Sequence, residues 1–301
     1  MSGGVDGGGA GLQSIAVTAS RPRLRRWTSW LFRATVLAGL ACAAWGFVIE
    51  PGRLVERDHE LALPQWHPSC DGLRVDVISD THTGSPHNGL DNLDRVVSRL
   101  IASDAPMVLM AGDYVIHEVF LGTYVDADTI ARHLRPLTAR KPVVAVLGNH
   151  DWWKDGDRVR RALESAGVVV LEDQARAWQF GGCRFWIAGI GDYWEAPHDI
   201  GKAFAGIDDG APVLALTHNP ELFPDVPARA SLLVAGHTHG GQVALPLLGR
   251  LVVPARSEFA IGHVVRNDRH LFVTPGIGTS ILPVRFGVPP EISRLRLRSA
   301  R

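Results

Sequence analysis

The chain is short of sulfur and of net charge. It has three cysteines and three methionines in 301 residues, and Lys+Arg and Asp+Glu balance at 31 each. Cys42, Cys70 and Cys183 are scattered. Without a Cys-x-x-Cys pair the sequence offers neither a structural zinc ligand set nor a dithiol redox motif. Balanced charge excludes a general field for nucleic acid, and no block of like charge supplies a polyanion-binding arm. Recognition must therefore come from a local site. An exported domain would permit Cys70 and Cys183 to pair if their backbones approach closely enough, which the spacing leaves open.

What is present falls into segments. Residues 1–20 are rich in Gly, Ser and Ala without an apolar period, so they bury too little surface to offset their ordering entropy and read as a disordered tail. Residues 21–50 hold Arg21, Arg23, Arg25 and Arg26 ahead of an apolar stretch, Trp30–Ile49, broken only by Arg33. A spanning helix needs about 20 such residues, so this reads as a transmembrane or signal-anchor segment. The shorter stretch after Arg33 would alternatively serve as the core of a cleaved signal. The arginine flank places the N-terminus in the cytoplasm and the following domain on the outer side of the cell membrane, the cytoplasmic face being the alternative. Residues 51–70, with Pro51, Pro64 and Pro68, read as a linker with little regular structure, and 71–301 as the globular domain.

Within that domain, Leu73–Ile78, Met107–Ala111, Val143–Leu147, Phe185–Ile190, Val213–Leu216 and Leu232–Ala235 are apolar runs of strand length. Helical periodicity covers Leu90–Ala102, with Leu93, Val96, Val97 and Leu100 on one face, and Asp157–Ala166. Strands alternating with helices predict an α/β fold, whose sites collect at strand carboxyl ends.

Polar motifs sit at those ends: Asp80-Thr-His82, Gly112-Asp113, Gly148-Asn149-His150-Asp151, Thr217-His218-Asn219 and Gly236-His237-Thr-His239-Gly-Gly. Taken singly, each has an ordinary explanation as a turn, a loop or a helix cap. In series they gather carboxylates, an amide oxygen and imidazoles, a ligand set suited to Mn, Fe or Zn. In extended chain, residues i and i+2 point to one side, so a single ion could take both Asp80 and His82, and another both His237 and His239. Asp113 has two oxygens and could bridge two cations.

The series resembles the calcineurin-like metallophosphoesterase superfamily, over a stretch from about Leu73 to the C-terminus. The resemblance implies a four-layer α/β/β/α sandwich and two divalent metal ions. It assigns Asp80, His82, Asp113 and His239 to one metal, and Asp113, Asn149, His218 and His237 to the other. Two such cations, about 3.5–4 Å apart, would activate a bridging hydroxide for in-line attack on phosphorus. His150 would then bind the phosphoryl group or protonate the leaving group, with Asp151 orienting it. Tyr114-Val-Ile-His-Glu after Asp113 lacks the Asp-Arg-Gly of the superfamily's protein phosphatases. The Trp152-Trp153 pair, Gly276–Ser280 and Pro283-Val-Arg285-Phe-Gly instead resemble the membrane-associated branch of YkuE- and YaeI-type phosphodiesterases. Some members of that branch cleave the pyrophosphate of UDP-2,3-diacylglucosamine in lipid A biosynthesis. The resemblance thus points to a phosphodiester or pyrophosphate, lipid-linked in the sharpest reading, with Arg285, Trp152 and Trp153 as substrate contacts. An exported general phosphodiesterase or phosphomonoesterase is the second reading. A catalytically inactive membrane scaffold is the third, and a missing ligand would favour it. His117, His198, His263 and His270 have no ligand-like context and read as surface or packing residues.

Overall fold

The apolar runs become strands, most of them buried along their whole length because both sheet faces are covered. The computed structural model describes residues 22–300 together with 1, 3, 4, 7–9 and 11, so most of the tail expected over residues 1–20 lies outside the described residues. The first sheet has six strands in the order β1 (Val55–Leu63), β14 (Glu291–Ser299), β2 (Leu73–Ile78), β3 (Val108–Ala111), β4 (Val143–Val146) and β5 (Val169–Val170). Its pairings are parallel except β14 with β2. The second has β12 (Gly262–Arg266), β13 (Arg269–Val273), β9 (Ala230–Ala235), β8 (Val213–Leu216), β7 (Cys183–Gly189) and β6 (Gln174–Phe180). It is parallel inside and antiparallel at both edges. A two-stranded ribbon, β10 (Ala244–Leu245) and β11 (Gly249–Arg250), stands apart.

The two sheets share one core, in which Val75, Leu109 and Val144 pack with Phe185, Leu214, Leu232 and Phe272. Helices α2 (Leu90–Ala102), α3 (Ala127–Thr138) and α4 (Asn149–Ser165) cover the outer face of the first sheet. The outer face of the second is covered by α5 (Ile200–Ala205) and by turns carrying Leu222, Phe223 and Phe259. This is the four-layer α/β/β/α order, with a thin final layer holding one six-residue helix. Parallel strands must all return from the same direction, so the loops after β2, β3, β4, β8 and β9 open on one rim.

The N-terminal helix, α1 (Pro22–Ala44), is a unit by itself up to Cys42, and exposes Trp27, Trp30, Leu31, Phe32, Leu37 and Leu40. With its irregular continuation it gives a 26-residue apolar segment, Trp27–Gly52, long enough to cross a membrane.

The linker expected over residues 51–70 is corrected by the structure, because it contains β1, paired in parallel with β14 along nine residues. β1 is unreadable as a strand because Glu56, Arg57, Asp58, His59 and Glu60 break any apolar alternation. Its charges are instead paired across the edge, Glu56 with Arg294 and Glu60 with Arg296. Trp66 is buried and donates its indole N–H to the Cys70 carbonyl at 2.8 Å. Cys70 and Cys183 form a disulfide that ties the chain entering β2 to the start of β7, one sheet to the other.

Candidate metal centre

The loops at the common rim brace one another. Asp80 N–H donates to the Gly112 carbonyl at 2.8 Å, and His82 N–H to the Asp113 carbonyl at 3.0 Å. Gly112 has φ +89°, and a Cβ there would stand 2.6 Å from His218 Nδ1, so the position demands glycine twice over. The candidate ligands take unusual backbone too. Asp80, His82, Asp113, His237 and His239 have φ of 49°, 37°, 59°, 68° and 52°. Left-handed conformations at non-glycine residues cost energy and persist where surrounding contacts over-determine them. The extended geometry expected around Asp80-Thr-His82 and His237-Thr-His239 is therefore corrected.

These turns sort the side chains into two groups. Asp80, His82 and His239 form one, with ligand atoms within 4.8 Å of one another. Within it His82 Nε2 lies 3.2 Å from His239 Nε2, and His239 Nε2 lies 3.4 Å from Asp80 Oδ1. Asp113, His218 and His237 form the other, with His218 Nε2 3.2 Å from Asp113 Oδ2 and 3.1 Å from His237 Nδ1. His237 and His239 thus part company, one to each group, where the i, i+2 argument put both on one ion. Asp113 Oδ2 is also 3.5 Å from His82 Nε2, which puts this carboxylate between the groups.

The donor set fits cations. A carbonyl can only accept, so His218 Nδ1, 2.7 Å from Ala111 O, and His82 Nδ1, 3.3 Å from Val115 O, carry the ring protons. Their Nε2 atoms then face the centre, the arrangement metal-binding histidines use. Asp80 Oδ1 and Asn149 Oδ1 are buried without a hydrogen-bond partner, an expensive state for polar atoms unless an ion meets them. Oxygen and imidazole donors without thiolate suit divalent Mn, Fe or Zn.

The electrostatics set His218 apart from the other imidazoles. Burial holds the His82 and His237 imidazoles down to about 3, so both stand neutral with lone pairs free, and it pushes Asp80 up to about 7. Burial works against charge on His218 and Asp113 as well, but their mutual attraction wins, with His218 raised well above and Asp113 held well below its ordinary value.

Above the centre opens a cavity of about 840 Å³ whose wall includes His117, His150, Trp153, Trp194, Val252 and Ile281. His150 stands between centre and cavity, its Nε2 4.0 Å from Asp113 Oδ2 and its Nδ1 without a hydrogen-bond partner. Its ring lies 4.7 Å from that of Trp153. Asp151 does not orient it. The Asp151 carboxylate accepts the backbone N–H groups of Asp113, Tyr114, Val115 and Gly148 at 2.8–3.2 Å, and so fixes the Asp113 loop to the start of α4.

Two expected substrate contacts are placed elsewhere. Arg285 is fully buried, donating to the carbonyls of Gly278, Val288, Pro275 and Gly276, so its role is to hold the loop behind Asp80. Trp152 packs against the core with α2, α3 and α4, so that of the pair Trp153 lines the cavity.

Three residues escaped the sequence reading, two of them in the cavity wall. His117 sits 5.5 Å ring to ring from Trp153 and has a buried, unpartnered Nδ1. Trp194 stands edge-on to His237 at 4.5 Å. Asp192 is fully buried and accepts from the N–H groups of Trp194 and Glu195 at 2.9 and 3.0 Å, shaping that turn. The available signal was Gly191-Asp192 directly after the run Phe185–Ile190, the pattern of Gly112-Asp113.

The family model of the calcineurin-like phosphoesterases matches residues 73–241, more than half of the chain and every loop of the centre. The chain belongs to that family. It is an enzyme of phosphoester hydrolysis by that membership. Among curated relatives, it is 28% identical to phosphodiesterase YaeI of Escherichia coli, covering 88% of this chain and 97% of the relative. It is 26% identical to the metallophosphoesterase YkuE of Bacillus subtilis, covering 91% and 97%. A transmembrane protein with a metallophosphoesterase domain from Danio rerio is 30% identical over 89% of this chain and 64% of the relative. This phosphoesterase therefore falls in the YkuE/YaeI-like branch. Among solved structures, NAD nucleotidase of Haemophilus influenzae is similar with a TM-score of 0.47 and 15% identity, over 68% of this chain and 45% of that one.

Proposed function

We propose that the protein is a membrane-anchored, dinuclear metal-dependent phosphodiesterase that acts outside the cytoplasm on a phosphodiester or pyrophosphate of an amphiphilic molecule. The observation that carries this reading is the pair of ligand groups joined through Asp113 beneath a largely apolar cavity. Asp80, His82, Asp113 and His239 would hold one divalent ion, and Asp113, Asn149, His218 and His237 the second. Such ions supply an acidified water as nucleophile and neutralise the phosphate oxygens. The remaining work belongs to the chain. His150 projects from the first turn of α4 toward the cavity, where an anionic phosphodiester offsets the burial that lowers its pKa, so that the imidazolium can give its proton to the leaving oxygen. Trp153 and Trp194 flank the mouth and shield the reacting group from bulk water.

Sidedness is supported by the arginines ahead of the apolar stretch and by the Cys70–Cys183 disulfide, which belongs in an oxidising compartment. Both features count against UDP-2,3-diacylglucosamine, whose hydrolysis in lipid A biosynthesis is cytoplasmic. The test is a manganese-supplemented panel of bis-p-nitrophenyl phosphate, p-nitrophenyl phosphate and UDP-2,3-diacylglucosamine, with Asp113→Ala as control. Turnover of the diester with little of the monoester is expected. Turnover of the monoester alone overturns the diester assignment, and no metal-dependent turnover on any of them favours the scaffold.

A further inference from the structure

The rim of the cavity exposes large apolar side chains in unusual density. Leu247 and Leu248, at the tip of the β10–β11 ribbon, are 106% and 72% exposed, Val252 75%, Ile281 72%, and Phe120 and Leu121 60% and 76%. Soluble surfaces scatter such residues singly, and a contiguous group marks an interaction site. These stand on three loops stitched together at the mouth. Phe120 N–H donates to Ile281 O at 2.9 Å, Ser280 N–H to Gln242 Oε1 at 2.7 Å, and Ala244 N–H to Phe286 O at 2.7 Å. Val252 and Ile281 also line the cavity itself.

The same run of chain receives the end of the membrane-length helix. Arg285 N–H donates to Gly46 O at 2.9 Å, Gly287 N–H to Glu50 Oε2 at 2.9 Å, and a Cβ at Gly46 would meet Val284 and Phe286 at 3.4 and 3.6 Å. Phe47, Val48 and Ile49 remain exposed on that end. The apolar rim and the last residues of the Trp27–Gly52 segment are therefore continuous through residues 281–287.

We propose that the loops bearing Phe120–Leu121, Leu247–Val252 and Ile281 enter the headgroup and upper acyl region of the bilayer that holds the helix. The cavity then opens at the lipid interface. It admits phosphodiesters whose non-reacting arm stays in the leaflet. The membrane contact stands on the exposed rim and its continuity with the end of the apolar segment, and only the substrate consequence rests on the phosphodiesterase reading.

The full chain, with Cys42→Ala and the Cys70–Cys183 bond kept, is reconstituted in vesicles of phosphatidylethanolamine and phosphatidylglycerol. Nitroxide labels at Leu248→Cys, Ile281→Cys and Gln179→Cys, the last at the far end of β6, are then compared for access to oxygen and to a water-soluble nickel complex. Lipid-like access at 248 and 281 with aqueous access at 179 is expected, and aqueous access at all three overturns the proposal. In parallel, the Leu247→Asp, Leu248→Asp double variant should hydrolyse bis-p-nitrophenyl phosphate in detergent as the parent does, yet lose about tenfold or more on hexadecyl p-nitrophenyl phosphate held in vesicles. Equal loss on both, or loss on neither, overturns the interfacial role. If the parent hydrolyses neither diester, the phosphodiesterase reading fails while the depth measurement still decides the docking.

Discussion

Asp151 and Asp113 brace one another's loops: the Asp151 carboxylate accepts the Asp113 N–H at 2.9 Å, and Asp113 Oδ1 accepts the N–H of His150, next to Asp151, at 2.9 Å. The central carboxylate is thus aimed by a second buried carboxylate whose own partners are backbone amides. Asp151→Ala would strand the four amides that Asp151 serves. A stability loss of about 3 kcal/mol or more, with a falling metal content, is expected from chemical denaturation and elemental analysis. Full stability with full metal content would show the bracing to be dispensable.

Asp113 and Asp80 separate a shared ligand from a single-group one. Asp113→Ala should empty both positions, since it removes the carboxylate common to the two groups, whereas Asp80→Ala should deplete only one. Metal-to-protein stoichiometry distinguishes the two variants. Identical stoichiometries would contradict the sharing.

His150→Ala should retain metal and lose about a hundredfold or more in turnover, the usual scale for a positioned proton donor. The loss should be smaller on an ester with a p-nitrophenolate leaving group than on an alkyl ester, because the better leaving group needs less help. Loss of metal would make His150 a ligand instead, in the group it forms with His82 and Asp113.

Glu172 sets a pH dependence of stability. Its Oε1 accepts the Leu147 N–H at 2.8 Å, and burial pushes the carboxyl up to about 8 from an ordinary 4.5. The folded chain holds this proton more tightly than the unfolded chain does. Stability on this account is full below about pH 4.5 and declines as pH rises through about 8. Glu172→Gln keeps an acceptor for Leu147 and removes the titration, so its melting temperature should gain on the parent between pH 6 and 9. A constant difference over that interval would rule the mechanism out.

Legibility followed burial. β2 and β8 match the apolar runs Leu73–Ile78 and Val213–Leu216, and α2 matches the periodic segment Leu90–Ala102, because each buries a regular apolar set. β6 shows no such set, having only partly buried or exposed residues, and α3 carries Pro136, which argues against a helix in isolation. The candidate ligands were legible as motifs, but their backbone was not. Left-handed turns at Asp80 and His239 are imposed by neighbouring loops and leave no local trace. Arg285 and Trp152 look like surface chemistry in a string of letters. Only the packed fold reveals that one serves carbonyls and the other the core.

The pairing of β1 with β14 has a consequence for biosynthesis. β14 lies between β1 and β2, so the last strand among the described residues occupies an inner position beside the first, which follows the membrane-length apolar segment. Until residues 291–299 have emerged, β1 has no neighbour and the exposed edge of β2 is open to stray pairing. Closure must therefore wait for residues 291–299, and a nascent chain halted before them would present two unpaired edges to chaperones and proteases.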